Sequence, residues 1–244
     1  MEEQHSVGKT VFLHLFPGAL AVGIFAVAST LLSEYNFPPL LILSFALLLG
    51  VIPFELGVVM FLSKKTAGRF FAPTVIPYTA RLKWKEYIIP VAVSFFWPVV
   101  VFTTFGPWLN DFLKTVTFPW LPNWFDLGVY IRNPELYPRN VRILTWLLSL
   151  VLGSLIGPAV EELYFHGYLL PRLSRFRQVA PVISTVLFVA YHFWSPHMVL
   201  TRIIAILPLT YFIWKKKNFY IGIIAHCLLN LIGDVLVSIP AVFG

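Results

Sequence analysis

Long apolar runs separated by short polar segments make up most of this 244-residue chain. A helix needs about 20 predominantly apolar residues to cross the hydrocarbon core of a bilayer. Pro158 lies in a long run and is expected to kink its helix, because proline removes a backbone donor. Seven runs predict one membrane helix each: 11–33, 39–62, 87–105, 141–170, 179–194, 198–214 and 219–239.

The pattern therefore predicts an all-α fold, a polytopic membrane bundle of about seven transmembrane helices, with eight possible. The runs do not alternate strictly over about ten residues, which disfavours a transmembrane β-barrel. We expect residues 1–244 to form a single integral membrane domain. The segment 106–140 is rich in Pro, Trp and Tyr, which is typical of an interfacial loop, and a partial re-entrant segment inside it stays open.

Composition supports the membrane prediction, since 58% of the residues are hydrophobic and only 12% are charged. A soluble domain averages about 25% charged residues. The net charge of +7 does not indicate a nucleic-acid partner, because the basic residues form short clusters between apolar runs. The single cysteine, Cys227, excludes an internal disulfide framework and a multi-cysteine metal site.

The distribution of Lys and Arg predicts the orientation. With the N-terminus inside, the inner loops hold 13 basic residues and the outer loops hold five. Since cytoplasmic loops carry the excess of Lys and Arg, we predict a multi-pass protein of the cell membrane with a cytoplasmic N-terminus. The basic segment 64–85 would contact anionic headgroups, which makes membrane lipids expected partners.

Ionisable and amide side chains interrupt three of the apolar runs. Such groups are costly in a bilayer, so they mark functional sites by default. At a rise of about 1.5 Å per residue, they lie roughly 10 to 20 Å from the inner helix ends, which predicts one shared site below the cytoplasmic surface. The residues form three ordered motifs: Glu161, Glu162 and His166; Phe188 and His192; His226 and Asn230.

These residue types suit the activation of a water and the stabilisation of an oxyanion. A carboxylate near a histidine supplies a base and a proton donor for a leaving amine. The N–H of His226 and the amide of Asn230, one helical turn apart, form a plausible oxyanion hole. Alternatively, Glu161, His192 and His226 would hold a divalent metal such as zinc, and the sequence leaves that choice open.

The ordered motifs resemble those of the CAAX prenyl endopeptidase and bacteriocin-processing (CPBP, or Abi) family of intramembrane proteases. That family shows two adjacent glutamates with an arginine four positions after the second, then Phe-x-x-x-His, then His-x-x-x-Asn or Asp. The resemblance covers a motif-bearing core of about 141–235. It implies an enzyme, a CAAX protease-like intramembrane peptidase. Its substrate would be a prenylated C-terminal tail or a small hydrophobic peptide, cut near the cytoplasmic face.

The resemblance also implies a role for each matched residue. Glu161 would be the general base that activates water, assisted by His192. His226 and Asn230 would stabilise the oxyanion, and Glu162 would support the site. His166 replaces the family's usual arginine and is expected to partner Glu162. The mechanism so implied is glutamate-based and favours no metal or other cofactor.

Two further function classes stay open. A proton-coupled transporter would use buried Glu and His as a relay, although no internal repeat is evident. A non-catalytic membrane scaffold or immunity protein would keep the fold without the chemistry. The oligomeric state is open as well.

The remaining polar residues predict no chemistry. No motif selects Glu55 or Asp234. Arg202 is expected to snorkel outward to the interface. Cys227 is expected to be inert packing.

Overall fold

The computed structural model describes residues 4–243, with the side chains of all of them except Ser33, Val237, Pro240 and Ala241. Over that range the chain is helical and forms no β-strand, and an isolated bridge joins Thr79 and Asn218. The predicted all-α class is therefore confirmed.

Within residues 4–243, seven helices are longer than ten residues. They are α1 (Val7–Leu31), α2 (Pro39–Ala67), α3 (Lys85–Thr117), α4 (139–169), α5 (Ala180–Ala190), α6 (Val199–Lys216) and α7 (Tyr220–Phe243). Five helical stretches are long and apolar enough to cross a membrane: Val7–Leu31, Pro39–Ala67, Lys85–Thr117, Arg139–Ala190 and Pro196–Lys216. A shorter apolar stretch, Tyr220–Leu236, follows them. The protein is therefore a polytopic helical membrane bundle.

Helix α4 carries the first motif and is irregular. It contains two π-helical segments, Ser149–Ile156 and Glu162–Leu169, on either side of the short α-helical piece Gly157–Glu161. Pro158 lies just after the first π segment, where a wide turn accommodates its missing N–H. A 3-10 stretch, Leu170–Val179, separates α4 from α5, and Arg177 breaks it with a φ of 51°.

Two predicted boundaries were wrong. Helix α3 continues to Thr117, so the expected loop over 106–140 begins only at 118. A π turn at Val101–Phe105 precedes Pro107 there, so proline does not end the helix. Helix α5 ends at Ala190, which leaves His192 in the turn that follows, because the chain turns ahead of Pro196.

The bundle has two chemically different ends. We call the end formed by residues 4–9, 64–85, 170–179 and 214–219 the basic end. Its segments are joined by hydrogen bonds from Gln4 to Ser174, from Ala80 N to Lys217 O, and from Phe219 N to Tyr78 O. The sequence predicted that these segments share one side of the membrane.

We call the opposite end, formed by residues 32–38, 118–138 and 192–198, the distal end. A hydrogen bond from Asn36 to Leu136 O ties two of its loops. A buried hydrogen bond from Tyr130 to Ser238 attaches the long loop to α7. The site lies between these two ends.

Candidate active site

The four residues predicted to be catalytic line one cavity of about 660 Å³. Glu161 reaches it from α4, His192 from the turn after α5, and His226 and Asn230 from α7. Helices α2 and α3 supply an apolar wall that includes Leu43, Leu47, Phe95, Val99 and Phe102. Three segments that are distant in sequence therefore meet at one place, as the matching depths predicted.

Glu161 is held by a neighbour that the sequence analysis did not select. The hydroxyl of Tyr191, itself fully buried, donates a 2.5 Å hydrogen bond to Oε1 of Glu161. Within residues 4–243 the other carboxylate oxygen makes no hydrogen bond. Glu161 thus presents an oriented carboxylate to the cavity, as a general base must.

Glu162 does not line the cavity and is fully buried. Its Oε2 lies 2.6 Å from Nδ1 of His166, and its Oε1 lies 3.0 Å from Nδ1 of His226. An ionised carboxylate only accepts hydrogen bonds, so both histidines donate through Nδ1. Glu162 thereby orients the His226 ring and leaves its Nε2 free. The two adjacent glutamates have different neighbours, as their helical positions predicted.

His166 extends this buried network across the bundle. Its Nε2 lies 3.3 Å from the hydroxyl of Thr210, which in turn accepts a 2.9 Å hydrogen bond from Thr185. The network joins α4 to α6 and α5. The predicted pairing of His166 with Glu162 is present, and His166 does not line the cavity.

His192 is oriented by its own backbone turn. Its Nδ1 lies 3.1 Å from the carbonyl oxygen of Phe188. A carbonyl can only accept, so Nδ1 carries a proton and Nε2 of the neutral ring is free to accept one. The rings of Phe188, Tyr191 and Trp194 surround the imidazole.

Asn230 is tied to α4, because its Nδ2 donates a 3.0 Å hydrogen bond to Gly153 O. One turn further along α7, Asp234 also lines the cavity and contacts Ser154 at 3.3 Å and Ser238 at 2.9 Å. The amide of Asn230 has a second hydrogen that remains available to a ligand.

The alternative metal ligands, Glu161, His192 and His226, line the same cavity. Among the described residues, no three His, Cys, Asp or Glu side chains are grouped so that they would hold a metal ion.

Two charged residues that no motif selects lie inside the bundle. Arg202 does not snorkel outward. It lines the cavity, and its Nη1 donates a 2.6 Å hydrogen bond to Ser195 Oγ. Glu55 is fully buried in α2, and neither of its carboxylate oxygens has a hydrogen-bond partner within residues 4–243. Both are charged residue types within apolar runs, which was the available sequence signal.

The cavity extends in an unexpected direction. We expected a site just below the end that carries the basic loops. Instead, its lining continues from Glu161 toward the distal end, as far as Leu40, Leu127 and Leu236. On the other side of Glu161, the space toward the basic end is filled by buried side chains, among them Tyr78, Leu170, Phe219 and Ile221.

One family model matches part of the chain. A family model described as type II CAAX prenyl endopeptidase Rce1-like matches residues 143–232. That stretch contains Glu161, His192, His226 and Asn230, and also Tyr191. No curated protein and no solved structure matches the chain.

Proposed function

We propose that this chain, which belongs to the CPBP family through its Rce1-like segment at 143–232, is an intramembrane endopeptidase. It hydrolyses a peptide bond in a prenylated C-terminal tail or a small hydrophobic peptide. The observation that carries this proposal is the meeting of Glu161, His192, His226 and Asn230 in one cavity.

Glu161 acts as the general base. Its carboxylate, held by Tyr191, takes a proton from a water molecule, and the resulting hydroxide attacks the substrate carbonyl. His192 lines the same cavity and assists this step with Nε2 as a proton acceptor. The proton on Glu161 then passes to the leaving amine, so one carboxyl group serves both halves of the reaction.

His226 and Asn230 stabilise the oxyanion that forms at the carbonyl oxygen. The amide of Asn230 donates through the hydrogen that Gly153 does not use. His226 donates through Nε2 when the ring is doubly protonated, and the carboxylate of Glu162, 3.0 Å from Nδ1, balances that positive charge. Glu162 is therefore a positioning residue that acts through His226.

The cavity walls favour a hydrophobic substrate. Leu43, Leu47, Phe95, Val99 and Phe102 surround the reacting groups with apolar surface, which suits a lipid chain or large apolar side chains. The substrate, a peptide or a lipidated protein, reaches this wall from the bilayer. The basic segment 64–85 binds anionic lipid headgroups at the membrane surface.

The test uses purified protein in nanodiscs with prenylated CaaX peptides and unmodified hydrophobic peptides. We expect cleavage by the wild type, loss of at least a hundredfold in kcat for Glu161→Gln, and no effect of a chelator. Glu135→Gln, an exposed glutamate in the distal loop, is the matched control and should cleave normally. Cleavage that a chelator abolishes and zinc restores would overturn the metal-free mechanism. Equal cleavage by wild type and Glu161→Gln would overturn the catalytic assignment.

A further inference from the structure

Arg202 is a cation on the wall of the catalytic cavity that the proposed mechanism does not use. Its guanidinium has five N–H donors. The hydrogen bonds that it makes within residues 4–243 run from Nη1 to Ser195, 2.6 Å to Oγ and 3.4 Å to the carbonyl oxygen. Among the ion pairs formed within residues 4–243, none includes Arg202. A guanidinium in a membrane bundle is costly, and the carboxylate whose charge acts on this one, that of Glu161, forms no ion pair with it.

The position of Arg202 is fixed relative to the reacting groups. Ser195, which holds the guanidinium, is buried, and its backbone N–H donates a 3.0 Å hydrogen bond to His192 O. The turn from His192 to Ser195 therefore fixes the positions of both His192 and the guanidinium of Arg202. The charge of Arg202 is close enough to interact with those of Glu161 and His226.

Arg202 also lines a second cavity, of about 990 Å³, on the distal side. Several charged residues line this cavity, among them Asp111, Lys114, Asp126 and Arg132. Leu127 and Arg202 line both cavities, so they lie where the polar space meets the apolar catalytic space. An anionic group at this junction would contact Arg202 while the apolar part of the same molecule faced Glu161.

We propose that Arg202 binds the C-terminal carboxylate of the substrate. The inference rests on the proposed peptidase function and adds a specificity to it, namely that the enzyme selects peptides with a free C-terminus. A carboxylate matches the planar, forked donors of a guanidinium in a bidentate pair. The same chemistry is available from an aspartate or glutamate side chain, and the experiment separates the two sources.

The experiment compares three versions of one cleavable hydrophobic peptide: a free C-terminal acid, a C-terminal carboxamide, and a carboxamide with an aspartate as its last residue. We expect wild-type protein to cleave the free acid about ten- to a hundredfold better in kcat/KM than the plain carboxamide, which is the effect of a charge-assisted hydrogen bond. The difference should lie mainly in KM. An aspartyl carboxamide as good as the free acid would overturn the assignment to the C-terminus.

Arg202→Gln should cleave the acid and the carboxamide equally, and Arg202→Lys should restore part of the preference. Arg139 is an exposed arginine at the start of α4. Arg139→Gln is therefore the matched control, and it should keep the full preference for the free acid over the carboxamide. Persistence of the preference in Arg202→Gln would overturn the role of Arg202. If that variant fails to fold, competition on the wild type decides, since a product peptide with a free acid should inhibit more strongly than its carboxamide.

The two proposals fail in different ways. Glu161-dependent cleavage that ignores the end group would overturn the carboxylate site and leave the peptidase intact. Absence of Glu161-dependent cleavage for every peptide would overturn the peptidase itself.

Discussion

The hydroxyl of Tyr191 donates a 2.5 Å hydrogen bond to Oε1 of Glu161, so the turn after α5 orients the carboxylate that α4 carries. Gly18 permits this arrangement, because a Cβ at position 18 would lie 1.8 Å from the carbonyl oxygen of Tyr191. Helix α1, which carries none of the motifs, therefore supports the site by packing directly against that turn.

Tyr191→Phe should lower kcat about ten- to a hundredfold with little change in KM. The substitution keeps the ring packing but removes the donor from a carboxylate, which costs about 1–3 kcal/mol. Steady-state cleavage of a hydrophobic peptide measures the effect, and thermal unfolding checks that the fold is kept. Tyr211→Phe is the control, since the Tyr211 hydroxyl bonds Gln178 O outside the cavity. An unchanged kcat would show that Glu161 needs no support from Tyr191.

His166→Arg should destabilise the protein even though it restores the residue that the family usually carries. His166 is fully buried and already fills the space between Glu162, Thr210 and Phe188. A longer side chain there is expected to cost about 1–3 kcal/mol through overpacking. The measurement is the midpoint of thermal unfolding in detergent, with the exposed Gln178→Arg as control. A higher midpoint would mean that the space occupied by His166 can accommodate the guanidinium of an arginine.

Gly222→Ala should reduce both stability and activity. A Cβ at position 222 would lie 2.0 Å from Oε2 of Glu162 and 2.8 Å from Cδ1 of Ile213. Helix α7 would have to move away from α4, which would separate His226 from Glu162. We expect kcat to fall at least tenfold. Gly57→Ala is the control, because no atom lies within 4 Å of a Cβ built there. Wild-type activity in Gly222→Ala would contradict the close approach.

Four residues that line the cavity were predictable because they belong to local sequence motifs. Glu161, His192, His226 and Asn230 are polar residues in apolar runs, and helical periodicity fixes their depth. Arg202 carried the same signal but lies near a helix end, where snorkelling was an equally simple explanation. Whether it points outward depends on Ser195, which is a tertiary contact that the pattern does not contain.

The fold was predictable to a similar degree. Hydropathy located the seven helices, but the π segments of α4 and the extension of α3 to Thr117 depend on how each proline is accommodated. The direction of the cavity was not predictable, since it depends on which side chains fill the space next to Glu161. The partner of Glu161 was missed for the same reason, because nothing in the spacing of Tyr191 distinguishes a hydrogen-bonding tyrosine from a packing one.

The orientation of the bundle decides from which side a substrate enters the cavity, and cysteine labelling measures it. With 13 basic residues in the predicted inner loops against five, we expect the basic end to face the cytoplasm. In a Cys227→Ser background, a membrane-impermeant maleimide added to intact cells should label Glu135→Cys and spare Lys65→Cys, both of which are exposed positions. Inverted vesicles should reverse the pattern, which controls for reactivity. Since the cavity extends toward the distal end, that result would place this extension of the cavity on the non-cytoplasmic side. Labelling of Lys65→Cys in intact cells would instead show that the bundle has the opposite orientation. The cavity would then extend toward the cytoplasm.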